Sequence, residues 1–222
     1  MKKAGAEVPA EDSRSTRLRL TEAAIDLFGE RGVYGASLRE ISDKAGAKNT
    51  AAAHYHFSDR RGIVSAALDL VIQQCSVPVD FDKAAELGLT IAPRENLIWR
   101  IMAQSMLPFV TLPMRQPWGY NGIRLLSRLI TVEGIEFAPD LETRLQPSAL
   151  ELADLLAAHL PRLAPTTLNQ RLDFMFVSCI CGTAASPYTK AVSDAGLTDR
   201  KSSAEFFVQL TDYVAGGVLS AE

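Results

Sequence analysis

Along the N-terminal third of the chain, apolar side chains repeat at the three- and four-residue spacing of helices that bury one face. Leu20, Ala24, Leu27 and Phe28 fall on one such stripe, and Gly32 follows it as a suitable C-cap. The same spacing continues to about residue 75. It predicts successive helices that begin near Ser15, at Ser37, near Thr50 and after Ser58 or Asp59.

The second and third predicted helices are joined by a short turn whose residues suit helix ends. Ser37 and Glu40 have the spacing of a capping box, in which the serine hydroxyl and the glutamate carboxylate each accept from a backbone amide. Gly46 can adopt the positive φ that ends a helix, and Asn49 is a suitable N-cap for the next one. A helix, a tight turn and a second helix form the unit that places its second helix in the major groove of DNA.

From residue 84 onward the pattern remains helical, and no stretch shows the two-residue period of a strand. Prolines are the predicted interruptions. Pro108 is expected to stop or kink its helix, and further breaks are expected at Pro113, Pro117, Pro139 and Pro147. The remaining helices are predicted over 118–132, 150–160, 166–186 and 202–219. The sequence therefore predicts an all-α protein.

Length and composition favour a chain of two parts. Its 222 residues exceed the commonest size of a single domain. We expect a disordered tail over 1–12, a helix-turn-helix domain with its connecting helix over 13–75, and a larger helical domain over 76–222. No apolar run approaches the ~20 residues that span a bilayer, and no apolar signal region follows the N-terminal lysines. A cytoplasmic protein without a membrane partner is expected.

The cysteines and histidines predict neither a metal site nor a cofactor. The chain has three cysteines, an odd number: Cys75, Cys179 and Cys181. No further pair of ligands stands at the spacing of a zinc site. His54 and His56 are two positions apart, so they point to different sides of a helix, whereas helical ligand pairs are three or four apart.

The net charge of −3 conceals an asymmetry between the two parts of the chain. From Ser13 to Arg61 there are nine lysines and arginines against six acids, so this segment carries +3 and the remainder −6. A basic N-terminal segment on an acidic remainder is the distribution expected when one end of a protein meets phosphates.

Several short runs occur in the order in which one known family has them. They are Leu-Arg-Leu-Thr-Glu-Ala-Ala-Ile-Asp-Leu-Phe at 18–28, Arg-Gly at 31–32, Ser-Leu-Arg-Glu-Ile at 37–41, Ala-Gly at 45–46 and Tyr-His-Phe at 55–57, with a basic residue at position 60. Together they resemble the DNA-binding domain of the tetracycline-repressor (TetR) family. Between Gly46 and Phe57 this chain has one residue more than most members, so the register of the recognition helix is defined to within one residue.

The resemblance implies that the third helix contacts double-stranded DNA. In the family register Thr50, Ala51 and His54 face base edges, where a small side chain can pack against the thymine methyl group. So small a reading face leaves part of the specificity to the shape of the groove. The predicted DNA contacts are Arg17, Ser37, Arg39, Lys48, Asn49, Thr50, Ala51, His54, Tyr55 and Arg60. For each charged residue the alternative is an ordinary solvated side chain.

The C-terminal part concentrates aromatic and flexible apolar side chains around its prolines. Such a stripe is more often core than ligand site, but the resemblance implies a small effector in this domain. The predicted ligand-binding residues are Trp99, Met102, Met106, Phe109, Trp118, Asn121, Arg124, Leu125 and Arg128. They suit an apolar or amphipathic effector with an acidic head group for an arginine.

The last two predicted helices, 166–186 and 202–219, are candidates for a dimer interface. One face of the first helix carries Leu168, Leu172, Met175 and Cys179, and one face of the second carries Phe206, Leu210 and Val214. Packing inside one protomer would use the same pattern. The resemblance implies a four-helix bundle between two protomers, which suits a near-palindromic operator.

The sequence thus predicts a homodimeric transcriptional regulator, a repressor that its effector releases from DNA. Two other classes stay open. One is a DNA-binding structural or adaptor protein that has a filled core and no effector. The other is an all-α enzyme, for which the chain offers no phosphate loop, nucleophile elbow or paired catalytic carboxylates.

Overall fold

The computed structural model of the chain describes residues 10–47, 52–131, 133–185 and 200–219, and within these ranges every regular element is an α-helix. The prediction of an all-α fold is confirmed. The helices are α1 (Ala10–Arg31), α2 (Leu38–Lys44), α3 (Ala52–Phe57), α4 (Arg60–Cys75), α5 (Phe81–Glu86), α6 (Leu97–Val110), α7 (Leu112–Arg115), α8 (Gly119–Thr131), α9 (Gly134–Ala157), α10 (Pro165–Ala185) and α11 (Arg200–Leu219).

Helices α1, α2 and α3 form the N-terminal unit, and α4 connects it to the rest. Its apolar core is buried and is formed by Leu20, Ala24, Phe28, Ile41, Ala53 and Phe57. The predicted capping box of α2 is confirmed: the Glu40 N–H donates to the Ser37 hydroxyl at 3.2 Å, and the Ser37 N–H donates to the Glu40 carboxylate at 2.8 Å. Gly46 has the predicted positive φ, at 63°, and turns the chain between α2 and α3.

Helices α6 to α11 form the C-terminal body. Helix α10 lies at its centre, in contact with α6, α8, α9 and α11. Met102, Met106, Leu125 and Ile180 are fully buried there. Burial raises the pKa of the Cys75 and Cys179 thiols to about 12, so both are protonated packing residues at neutral pH.

The two units meet mainly where α1 packs against α8. Gly29 of α1 makes this close approach possible, because a Cβ at that position would clash with the backbone carbonyl oxygen of Asn121 and lie 2.7 Å from its Cα. The first helix of the N-terminal unit therefore also forms the surface against which the body packs.

Several predicted boundaries are wrong. Helix α1 begins at Ala10, five residues before Ser15. Of the two outcomes expected at Pro108, a stop is excluded, because α6 runs on to Val110. Helix α9 is continuous from Gly134 to Ala157, so Pro139 and Pro147 do not interrupt it. Each proline removes one backbone hydrogen bond, but α9 is held along its length by buried apolar side chains: Phe137, Leu141, Leu152 and Leu156.

No helix in the described part of the chain is both long and apolar enough to cross a membrane. Residues 1–9, 48–51, 132, 186–199 and 220–222 lie outside the described ranges. The predicted contacts Lys48, Asn49, Thr50 and Ala51 fall among them, as does most of the predicted tail.

Candidate nucleic-acid interface and ligand cavity

Helix α3 presents one face to solvent and buries the other. Ala53 and Phe57 pack into the N-terminal core, whereas His54 and Tyr55 are exposed, with Tyr55 at 82%. An aromatic side chain with that exposure does not stabilise the core of its own domain. The exposed face of α3 is thus free to meet a partner, as a recognition helix requires.

Arg17 supports α3 from beneath. Its Nη1 donates to the backbone carbonyl of His56 at 2.9 Å, and its guanidinium lies 4.6 Å from the centre of the Phe57 ring. Burial and the neighbouring Arg17 charge lower the pKa of His56, which is half-buried. Arg17, which was predicted to contact phosphate, therefore positions the end of α3.

Arg60, predicted to hold phosphate, lies inside the domain. Its Nη1 donates to the carbonyl oxygens of Val33 and Ala36, the latter at 2.6 Å, and its guanidinium lies 5.9 Å from the Tyr34 ring. The side chain is half-buried. Arg60 thus ties the start of α4 to the loop between α1 and α2.

The N-terminal end of α2 offers an exposed cation beside a structural serine. Ser37 is committed to the capping box, and its hydrogen bonds lower the pKa of Glu40. Arg39 is exposed, and its Nε lies 3.9 Å from the Asp43 carboxylate, at the limit of an ion pair. Arg39 therefore remains the freer cation on this side of the reading face.

The nine residues predicted to bind an effector are mostly occupied elsewhere. Met102, Met106 and Leu125 are fully buried core, and Trp118 is nearly so. The Trp99 indole N–H donates to Asp212 at 2.7 Å, and this hydrogen bond ties α6 to α11. The prediction that these residues line one ligand pocket is not supported by their positions.

Two of the predicted polar ligand groups hold the DNA-binding unit instead. Asn121 Nδ2 donates to the Asp26 carboxylate at 3.0 Å, and Lys44 of α2 lies 3.2 Å from the same carboxylate. Arg128 donates to the backbone carbonyls of Gly29 and Glu30 at 3.2 and 3.1 Å. These carbonyls belong to the last turn of α1, where they lack helical partners and a cation is favourable. Arg124 lies over the Tyr120 ring at 5.8 Å.

The junction of α8 and α9 adds two carboxylates to this contact. Glu133 accepts a hydrogen bond from the backbone N–H of Val33 at 2.9 Å. Glu136 accepts one from the Tyr34 hydroxyl, and this bond raises the pKa of Tyr34. Both partners lie in the loop that follows α1, so the start of α9 fixes the position of that loop.

A cavity of about 800 Å³ opens between α8, α9 and α10. It is lined by Leu129, Ile130, Thr131, Leu141, Glu142, Leu145, Gln146, Ala149, Leu150, Asn169, Leu172, Asp173, Phe176, Val177 and Ile180. None of the nine predicted ligand residues is among them. The i, i+4 pairs Leu141–Leu145 and Glu142–Gln146 were the sequence signal for its α9 wall, but the expected breaks at Pro139 and Pro147 concealed it.

A smaller cavity of about 150 Å³ lies beside the first and shares Leu145 and Phe176 with it. Phe109, which was predicted to bind ligand, lines this one and meets Phe176 edge-on at 6.0 Å. Ile72 and Cys75, at the end of α4, form another wall. The connecting helix is therefore separated from the large cavity by Phe176 and its neighbours.

Helix α9 borders both the cavity and the DNA-binding unit. One face carries Glu136, Asp140 and Arg144, and the latter two make ion pairs with α4: Asp140 with Arg61 at 3.0 Å, and Arg144 with Asp69 at 2.7 Å. Another face lines the cavity. A shift of α9 would move both surfaces together.

On α10 and α11, the apolar faces divide between core and solvent. Leu168, Leu172, Met175 and Cys179, the face proposed from the sequence for a dimer, are buried inside the protomer. Phe174 on α10 and Tyr213 on α11 are instead 70% and 73% exposed. Each of the last two helices therefore presents one large aromatic side chain to solvent.

A helix-turn-helix unit attached to a larger helical body defines a DNA-binding regulator. The family model described as "Bacterial regulatory proteins, tetR family" matches residues 20–67, and the model described as "Tetracyclin repressor-like, C-terminal domain" matches residues 105–217, more than half of the chain. The chain belongs to the TetR family, and it is a DNA-binding transcriptional regulator.

Relatives and solved structures agree with this assignment. The uncharacterized HTH-type transcriptional regulator TtgW of Pseudomonas putida is 28% identical over 118 residues, which cover 51% of this chain and 80% of TtgW. The HTH-type transcriptional regulator SrpR, also of Pseudomonas putida, is 28% identical over 118 residues, which cover 51% of this chain and 50% of SrpR.

Two crystal structures from Rhodococcus share the fold. A TetR-family regulator from Rhodococcus sp. superposes with a TM-score of 0.58 at 16% identity, over 91% of this chain and 99% of its own. A transcriptional regulator from Rhodococcus sp. Rha1 superposes with a TM-score of 0.56 at 19% identity, over 92% and 96%. At these identities the likeness concerns the fold alone.

Proposed function

We propose that this regulator is a homodimeric repressor that leaves its operator when a small molecule occupies the cavity between α8, α9 and α10. The observation that carries the proposal is the position of α9, which lines the cavity on one face and contacts the loop after α1 and helix α4 through the other. One rigid element in contact with both surfaces is what coupling between two sites requires.

In this proposal, α3 reads DNA with its exposed face. His54 contacts a base edge, and Tyr55 and Arg39 contact the phosphate backbone. Lys48, Asn49, Thr50 and Ala51, which precede α3 in the sequence, are proposed to contact DNA as well. Arg17 adds a phosphate contact from its exposed position, while Arg60 and Ser37 hold the geometry of the loop and of α2.

Dimerisation would pair α10 and α11 with the same helices of a second protomer. The exposure of Phe174 on α10 and of Tyr213 on α11 supports this arrangement, because a partner that buries large exposed aromatic side chains removes apolar surface from water. A two-fold dimer presents two recognition helices to successive turns of a near-palindromic operator.

Release follows from the difference between two arrangements of α9. An effector shifts the equilibrium only by the difference in its affinity for the two arrangements. If filling the cavity displaces the middle of α9, the contacts of Glu133, Glu136 and Arg144 move with it. The spacing of the two recognition helices then no longer matches the operator.

The proposal is tested by fluorescence anisotropy with DNA that flanks the protein's own gene, in the presence of non-specific competitor and at several salt concentrations. We expect competitor-resistant binding of at least two protomers per site, with an affinity that falls as salt rises. A repressor also lowers transcription from that DNA in a reconstituted assay. Competitor-sensitive binding there, together with no enriched site in a selection from genomic fragments, would contradict it.

A further inference from the structure

The large cavity has an apolar interior and a polar rim. Leu129, Leu141, Leu172 and Ile180 line it and are buried. The exposed side chains at its opening include four polar residues: Glu142, Gln146, Asn169 and Asp173. A molecule with an apolar body and a polar group at one end would bury the first and keep the second near water.

The charge at this rim is negative and uncompensated. Glu142 and Asp173 are carboxylates, and the residues that line the cavity include no lysine, arginine or histidine. Within the described part of the chain, neither carboxylate forms an ion pair.

The neighbouring arginines point their donors elsewhere. Arg144 is bound to Asp69 and to the Ser65 hydroxyl, each at 2.7 Å. Arg171 donates to the Val218 carbonyl at 2.6 Å. Among the described residues, the basic side chains of α9 and α10 are therefore bound away from the rim of the cavity. The electrostatic field at the opening favours a positively charged ligand.

We infer that the cavity binds a lipophilic cation, with the apolar body against the buried side chains and the positive charge between Glu142 and Asp173. The inference rests on the proposed function for its regulatory meaning and names the chemical class of the effector. It replaces the acidic head group expected from the sequence, because Arg124 and Arg128 do not line the cavity.

The two parts of such a ligand would contribute differently. Burial of apolar surface supplies most of the affinity, because it removes that surface from water. Glu142 and Asp173 are exposed, so each is expected to strengthen cation binding only about threefold. Their main effect is discrimination, since an anion of the same shape is repelled by the same charges.

Tetraphenylphosphonium and tetraphenylborate make a matched pair of probes, because they have the same shape and opposite charge. Each is titrated into the purified full-length protein by isothermal titration calorimetry, with the oligomeric state followed by light scattering. We expect the cation to bind about tenfold more tightly than the anion, at one site per protomer. Equal affinities, or tighter binding of the anion, overturn the inference.

Variants locate the site. Glu142→Gln and Asp173→Asn each keep the size of the side chain and should weaken cation binding about threefold, and the double variant about tenfold. Glu151→Gln removes an exposed carboxylate of α9 that does not line the cavity and serves as the matched control. Ala149→Phe fills the cavity and should abolish binding of both ions.

Cation binding that persists in Ala149→Phe, or whose affinity is unchanged in the double variant, would lie elsewhere and overturns the inference. Binding that begins only when the dimer dissociates also overturns it, because a second copy of the chain would then occupy the cavity. The proposed function is tested separately by DNA anisotropy. A cation that binds with the expected specificity but leaves the DNA complex intact supports the cavity assignment and contradicts release by the effector.

Discussion

The carboxylate of Glu133 accepts a hydrogen bond from the backbone N–H of Val33, 100 residues earlier in the chain, at 2.9 Å. Val33 is fully buried in the loop between α1 and α2, so its N–H has little access to another partner if the carboxylate is removed. This hydrogen bond therefore joins the α8–α9 junction to the DNA-binding unit, so a displacement of the junction would strain or move the loop between α1 and α2.

Removing this acceptor should destabilise the protein. We expect Glu133→Ala to lower the free energy of unfolding by about 2 kcal/mol, because a buried donor loses its partner. Glu133→Gln, which keeps an acceptor oxygen, should lose less. Urea denaturation measures both, with Glu151→Ala on the exposed face of α9 as the control. If Glu133→Ala unfolds at the same urea concentration as the wild type, the contact does not hold the domains together.

The approach of α1 to α8 makes a second prediction at Gly29. A methyl group there would clash with the backbone of Asn121, which cannot move without shifting α8. Gly29→Ala should therefore cost about 2 kcal/mol, although alanine is the better helix former. Glu30→Ala, one position further along the same helix, should stay within about 0.5 kcal/mol of the wild type. Thermal unfolding of the two variants compares them; a stabilised Gly29→Ala would show that α8 lies further from α1.

Local features were the part of this structure that the sequence could predict. The capping box of Ser37 and Glu40 and the positive φ of Gly46 depend on residues within a few positions of each other. Pro139 and Pro147 misled the prediction, because the packing of α9 outweighs two missing hydrogen bonds. The cavity is formed by residues from three helices, and the role of Arg128 depends on carbonyls about a hundred positions away, so periodicity within one helix could not reveal either.

Substitutions of Tyr55, Arg39 and Arg60 should differ in their effects on operator binding and on the free energy of unfolding, so both quantities are measured for each variant. Tyr55→Ala should weaken operator binding without changing the free energy of unfolding, because the ring is 82% exposed. Arg39→Ala should lower the slope of log affinity against log salt by about one.

Arg60→Ala should instead destabilise the fold by about 2 kcal/mol, since two carbonyls lose their donor, and leave the slope of log affinity against log salt unchanged. A lower salt slope for Arg60→Ala than for the wild type would show that Arg60 contacts phosphate after all.

The capping box of α2 should make stability depend on acid. The Ser37 backbone and hydroxyl bonds lower the pKa of Glu40 in the folded state below its ordinary value of 4.5. A carboxyl with a depressed folded pKa contributes stability that is present above the unfolded pKa and is lost as the pH falls through the folded one. Unfolding free energies measured between neutral pH and pH 3 should therefore fall less steeply below pH 4.5 for Glu40→Gln than for the wild type. If the free energies of unfolding of the two proteins fall in parallel with pH, Glu40 does not contribute to the acid sensitivity of the fold.

The exposed aromatic side chains of α10 and α11 lead to the last prediction, which concerns assembly. Phe174 and Tyr213 are more than two-thirds exposed in the protomer, and a partner that buries an aromatic side chain gains of the order of 2 kcal/mol. Phe174→Asp would place a charge in the proposed dimer interface of α10 and α11. We therefore expect the variant to sediment as a monomer at micromolar concentration and to keep its helical circular dichroism. Operator affinity should fall strongly as well, because a monomer meets only one half-site. Leu97→Asp, an exposed apolar position on α6, is the control and should remain dimeric. If Phe174→Asp remains dimeric and Leu97→Asp does not, the protomers associate through the face that carries α6.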